Sequence, residues 1–182
     1  LRVEVLLASE LSDQDRKEIW SILECNMKDL YAGSSFGWIP NDKQAELFHE
    51  LSRFLLVRKT ALLVASPLGP TETRCPISAY SMFRFEVEEK KDVVYCYEMQ
   101  VLQELKRSGI GRCLMQQLVS IGKYWQMQKI MLTVFKSNSA ARSFYKAIGF
   151  ELDPTSPEYD DSDSEEDTVE EYDYEIMSMR IW

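Results

Sequence analysis

The chain contains one histidine, His49, and four cysteines, Cys25, Cys75, Cys96 and Cys113, none of them spaced as CxxC. A structural zinc site draws on clustered cysteine and histidine, so the usual ligand set is missing and no metal is expected. The cysteines read as reduced thiols, the state kept in the cytosol and nucleus. A Cys–His nucleophile pair stays open on the single histidine, but nothing in the sequence supports it. Also lacking is any apolar run of the ~18 residues that a bilayer demands, so no membrane partner is expected. The opening LRVEVLLASE has no signal-peptide pattern and reads as the trimmed start of a longer chain. Clustered positive charge is absent as well. The net charge of −9 comes from one stretch, Glu158–Glu175, which holds eleven acidic residues and no Lys or Arg. The remainder carries 21 basic against 19 acidic residues, a net of +2. That balance argues against a nucleic-acid surface, which wants grouped Lys and Arg, and leaves a basic partner open.

What is present is the composition of a globular domain, 45% hydrophobic and 12% aromatic over 182 residues. One domain spanning residues 1–182 is expected, with a Pro-, Ser- and acid-rich mobile loop inserted at about 153–171. Val3–Leu7 reads as a first strand. Apolar residues at Ile19, Ile22, Leu23, Met27 and Leu30 then recur at helical spacing, with Ser12 and Asp15 as N-cap and weak capping box. AGSSFGWIPND breaks that helix, and a second is expected over Lys43–Ser52. ALLVAS, the alternating ISAYSMFRFEVE and the returning VVYCYEMQV read as an antiparallel meander. A helix with a stripe of Ile110, Leu114, Leu118, Ile121 and Trp125 follows. KIMLTVF is a buried strand, SNSAARSFYKAIG a short helix and YDYEIMSMRIW a closing strand. Strands followed by helix–strand–helix–strand indicate a mixed α/β sheet.

Glu98 stands out, because an unpaired carboxylate gains nothing in an apolar strand. It must reach water, find a partner or be used, and an ion pair with Arg84 on the neighbouring strand is the structural alternative. The second informative point is LKRSGIGRCL, where a strand hands over to a helix. Glycines let a backbone approach a ligand, and the N–H groups of a helix start bind phosphate oxygens. On its own, Gly-x-Gly serves equally as a tight turn, and it is neither a P-loop nor a full GxGxxG.

In context, KRSGIG resembles the pyrophosphate loop of the Gcn5-related N-acetyltransferase superfamily, with Lys106 where Gln or Arg is usual. NSAARSFYKAIGF resembles the superfamily's Asn-containing turn and the helix–strand element after it. Within that superfamily, LYAGSSFGW, FRFEVE, YCYEMQV, MLTVFKSN and DYEIMSMR are similar to the NatD type of protein N-alpha-acetyltransferase. The acidic stretch before Tyr172 lies outside that pattern. The resemblance implies a Gcn5-related α/β fold, a mixed and mostly antiparallel sheet flanked by helices. It also implies acetyl-CoA as co-substrate and histone N-terminal peptides beginning Ser-Gly-Arg-Gly as acceptors. A monomer in nucleus and cytoplasm goes with it.

The resemblance assigns Glu98 the general-base role, directly or through water, with Tyr97 beside it. Tyr145 takes the position of the acid that protonates the leaving thiolate. Coenzyme contacts fall on Met99, Gln100, Val101, Lys106, Arg107, Ser108, Gly109, Ile110, Gly111, Arg112 and Asn138. The acceptor peptide falls on Tyr31, Phe36, Trp38, Glu86, Glu88, Tyr95, Tyr97, Thr133 and Tyr174, with Phe36 where Trp is expected and Trp38 equally a core residue. A flat strand puts Tyr95, Tyr97 and Met99 on one face and Cys96, Glu98 and Gln100 on the other. Tyr97 and Glu98 can serve one site only if a bulge lies near Tyr97–Met99. Two rivals keep their place: acetylation of a lysine side chain or small amine on the same fold, and a silent acyl-CoA- or histone-binding module. Turnover of a free N-terminal peptide, compared with its blocked form, separates all three.

Overall fold

A computed structural model describes residues 2–58, 75–157, 159 and 172–182. Its strands are β1 (Arg2–Leu7), β2 (Arg53–Arg58), β3 (Ile77–Glu88), β4 (Lys91–Val101), β5 (Lys129–Phe135), β6 (Glu151–Leu152) and β7 (Tyr174–Arg180). The helices are α1 (Asp13–Ala32), α2 (Pro40–Leu47), α3 (Ile110–Tyr124) and α4 (Ser139–Ala147). The strands form one sheet in the order β1-β2-β3-β4-β5-β7-β6. Among the described residues only β4 and β5 run parallel; the other neighbours are antiparallel. This is the mixed, mostly antiparallel sheet that the resemblance implied.

Two hydrophobic layers hold the sheet. One packs Ile110, Leu114 and Leu118 of α3 against Leu55, Val57, Phe83 and Val94. The other packs Ile19, Ile22 and Leu23 of α1 and Leu47 of α2 against Phe54, Leu56, Tyr80 and Met82. In β2, Phe54 and Leu56 therefore face one layer while Leu55 and Val57 face the other. A strand covered on both faces reads as a continuous apolar run without alternation. That is why RFLLVR gives no strand signature of its own and was missed, as was the two-residue β6. The expected strand ALLVAS lies outside the described residues, and so does most of the acidic loop.

Ser12 caps α1 as expected: its Oγ accepts from Asp15 N at 3.1 Å, and Asp15 Oδ2 accepts from Ser12 N at 3.2 Å. Such a cap contributes about 1 kcal/mol. Burying Ile19, Ile22 and Leu23 contributes roughly 1.5–3 kcal/mol each, so packing rather than capping fixes the helix. The second helix begins three residues before its expected start, with Pro40 in its first turn, and stops at Leu47 instead of Ser52. Proline suits that position because its missing N–H is one the helix start cannot satisfy anyway. Trp125 leaves the α3 stripe; it is the exposed C-cap.

Candidate functional site

The site begins with an irregularity between β3 and β4. Met82 pairs with Glu98, but the next residue, Phe83, pairs with Cys96. Tyr97 is thus the extra residue of a bulge, located where the roles that the resemblance gave Tyr97 and Glu98 required one. The bulge lets Tyr95, Tyr97 and Glu98 line the same cleft, with the Tyr95 and Tyr97 rings 4.9 Å apart.

The parallel pairing of β4 with β5 extends only from Val93–Lys129 to Tyr95–Met131. Beyond it the strands part, and the wedge between Cys96–Val101 and Thr133–Phe135 opens a cleft of about 1370 Å³. β4 backbone groups past Tyr95 have no partner on β5, so an extended ligand can pair with them as a further strand would. At the end of β4 the chain turns through a 3-10 segment, Gln103–Leu105, into the glycine loop. Gly109 sits at φ 87° and ends that loop as the N-cap of α3. A side chain is strained at such a φ, and glycine is not. The first N–H groups of a helix have no intrahelical acceptor and favour negative charge. Lys106, Arg107 and Arg112 line the cleft beside them, as do Gly109, Ile110 and Gly111. A Cβ on Gly111 would lie 3.4 Å from the Phe144 ring. The Ile110 side chain packs into the core, and Ser108 Oγ donates to Leu105 O at 2.6 Å. These features suit a ligand with phosphates at one end and an extended arm, which is the shape of acetyl-CoA.

Glu98 is 4% exposed and has partners, though Arg84 is not among them. Its Oε1 accepts from Lys43 Nζ at 2.8 Å and from Tyr31 Oη at 3.2 Å, and its Oε2 accepts from Gln100 Nε2 at 2.8 Å. Arg84 instead covers the Tyr97 ring at 4.5 Å, donates to Ser52 Oγ at 3.1 Å and reaches the Glu46 carbonyl. The expected Glu98–Arg84 alternative is therefore replaced by Lys43. That pairing joins α2 to β4, and no local sequence signal announces it. The Gln100 side chain also accepts from Asn26 Nδ2 at 3.0 Å, so it is engaged with Glu98 and α1.

The mouth is aromatic. Tyr31, Phe36 and Phe135 line it and meet edge to face, and Tyr174, outside the lining, packs on Phe36, with centroids 4.9 to 6.5 Å apart. Trp38 stacks on Trp20 at 5.4 Å and also lines the cleft, so it is at once a packing and a mouth residue. Asp173 clasps the α1–α2 loop to the start of β7: its Oδ2 accepts from Ser35 N at 2.5 Å and its Oδ1 from Ser35 Oγ at 2.8 Å. Tyr95 Oη and Thr133 Oγ1 share a hydrogen bond of 2.6 Å across the wedge. Tyr97 Oη donates to Glu86 Oε1 at 3.2 Å, and burial with the Glu86 charge pushes the phenol up to about 12. Glu88 lines the cleft. Asn138 Oδ1 caps α4 by accepting from Ala141 N at 3.2 Å while the residue borders the cleft. Tyr145 borders it too; burial first, then Cys96 and Glu98, raise its phenol well above the ordinary range. Its hydroxyl is therefore protonated at neutral pH, and its ring packs into the core. Among the described residues no cluster of three or more His, Cys, Asp or Glu could hold a metal ion.

Comparison with known proteins agrees with this geometry. The chain resembles a GNAT-family acetyltransferase of Staphylococcus aureus at 13% identity and a TM-score of 0.65, over 100% of each chain. A PaiA N-acetyltransferase of Thermoplasma acidophilum in complex with coenzyme A gives 14% and 0.59, over 99% of both. A chain of the NatC complex bound to Gag peptide and CoA gives 13% and 0.63, also over 99% of both. At such identities the likeness concerns the fold. The model of the acetyltransferase (GNAT) family matches residues 31–150, which take in the wedge, the bulge and the glycine loop. With roughly two thirds of its length inside that match, the chain belongs to the acetyltransferase (GNAT) family.

Proposed function

We propose that this GNAT acetyltransferase acts on the free N-terminal α-amine of a protein, and that the acceptor is a histone tail beginning Ser-Gly-Arg-Gly. The observation that carries the reading is the line of acidic and aromatic groups along one wall of the cleft. Glu98, Tyr97, Tyr95 and Glu88 line it, while Glu86 stands behind the lining and accepts from Tyr97 Oη at 3.2 Å. An extended N-terminus fits that line with its amine inward and its third residue outward. The reference pKa of an α-amine is ~2.5 units below that of lysine, which makes its deprotonation easier by about 3.5 kcal/mol.

In the reaction, the neutral amine attacks the thioester carbonyl. The new N–C bond forms, the C–S bond breaks, and the sulfur leaves as thiolate. Glu98, directly or through water, accepts the amine proton, and the Tyr145 hydroxyl donates one to the thiolate. The same reading carries with it a monomer in the nucleus and cytoplasm.

Recognition of the third residue provides the test. A guanidinium pairs with carboxylates through a fixed fork of donors. With Glu86→Ala and Glu88→Ala combined, KM should rise at least tenfold for a Ser-Gly-Arg peptide and change little for Ser-Gly-Ala. Steady-state kinetics on both peptides read this out. Equal effects on the two would remove these glutamates from recognition.

A further inference from the structure

Lys43 is the cation of the acceptor end of the cleft. It stands on α2, a helix that the functional pattern in the sequence does not touch. Its Nζ lies 2.8 Å from Glu98 Oε1, 2.6 Å from Tyr31 Oη and 2.5 Å from Glu46 Oε2, and 4.6 Å from the centroid of the Tyr31 ring. Its side chain is 10% exposed and that of Glu98 3%. A surface lysine making one ion pair is usually dispensable. This one is buried against the carboxylate that must meet the incoming amine.

The surrounding groups decide what the charge does. Glu98 and Cys96 face the site from β4, Tyr31 from α1, Glu46 from α2, Tyr80 from β3 and Tyr145 from α4. Burial pushes the phenols and the thiol up, with Glu98 contributing to each, so all four are neutral at neutral pH. Burial alone would pull the Lys43 ammonium down, but Glu98, Tyr31 and Glu46 outweigh it and hold the group charged. Glu46 is 37% exposed and Asp42, which also lines the cleft, is exposed, so both are screened by water; among the described residues the buried charges at the base of the cleft are Lys43 and Glu98, already matched.

We propose that Lys43 is a positioning residue that makes the acceptor pocket select the neutral amine: with Glu98 already paired, a second ammonium finds no free buried counter-charge beside it and is repelled. The substrate amine sheds its proton to solvent on entry, and Glu98 is left to take the remaining proton released as the N–C bond forms. The proposal rests on the amine-acetylation reading above and adds to it how the nucleophile is made.

The test is kcat against pH at saturating acetyl-CoA and Ser-Gly-Arg-Gly peptide, for wild type, Lys43→Met, Lys43→Gln and Lys43→Arg. Loss of the charge should move the acid limb of kcat upward by about one to two pH units, so that kcat at pH 7 falls tenfold or more and recovers at high pH. KM should not rise, because the unpaired Glu98 now attracts the ammonium form. Lys43→Arg should return the midpoint toward wild type. A uniform fall in kcat at every pH, or an arginine variant that behaves like methionine, would overturn the proposal. A readout on the unmodified protein guards against misfolding. Calorimetry near pH 6.5 in buffers of different ionisation enthalpy should show about one proton released per peptide bound, since a free α-amine is still mostly protonated there. Absence of release rejects the proposal. If the wild-type chain acetylates a lysine side chain instead, the α-amine reading falls and the same pH comparison decides Lys43 on that substrate. If it acetylates no amine, both fall.

Discussion

At Glu98 three donors converge on one buried carboxylate, from Lys43, Tyr31 and Gln100. A buried charge of this kind is tolerated only when it is paired and hydrogen-bonded. The sequence posed the problem correctly, since a glutamate inside YCYEMQV had to be solvated, paired or used. It did not name the partner. Arg84, two places from Glu86 on the same strand, was visible as a candidate, whereas Lys43 is 55 residues away in sequence and meets Glu98 only once α2 packs on the sheet. Replacing Glu98 by Gln keeps the shape and removes the proton acceptor. Turnover at neutral pH should fall by about 10²–10⁴, with binding of the peptide little changed. The deficit should narrow as the pH rises and solvent base takes the proton that Glu98 no longer accepts. A wild-type rate at pH 7 would leave Glu98 a structural residue.

At the level of elements, β4 carries most of the functional geometry. Its bulge was expected near Tyr97–Met99, because the resemblance assigned Tyr97 and Glu98 to one site and a flat strand could not bring them there. β2 was not legible, because burial on both faces erases the alternation that marks a strand. The glycine loop was legible as a close backbone approach, and the left-handed Gly109 at the start of α3 gives that approach its physical cause. Gly111 follows on the first turn and faces the Phe144 ring. Gly111→Val should push a branched side chain between that ring and the space above the helix start, weakening acetyl-CoA binding at least tenfold by titration calorimetry. Unchanged affinity would move the coenzyme phosphates away from this loop.

For the whole molecule, the charge pairs that pin the sheet edges make stability depend on acid. Lys129 of β5 holds Asp153, just beyond β6, through a contact of 2.5 Å. Burial pushes the Asp153 carboxyl up, but the bonds from Lys129, Ser178 and Thr155 prevail and keep it at about 2. A carboxylate held below its unfolded value stabilises the fold above that value, and the contribution fades as pH falls between the two. The melting temperature should therefore decline from about pH 4 toward pH 2, and Asp153→Asn should flatten that decline while lowering stability at neutral pH. An identical acid limb in the variant would show that other groups carry it.

The same fold serves acceptors of several kinds, so the chemistry of the acceptor must be read on the protein itself. The deciding measurement is acetyl transfer from acetyl-CoA to two versions of one Ser-Gly-Arg-Gly-Lys peptide, with a free or a blocked N-terminus, the modified atom being located by fragmentation mass spectrometry. The account predicts one acetyl group on the α-amine of the free peptide and none on the blocked one. Transfer to the lysine at equal rates in both peptides, or no transfer to either, would contradict it.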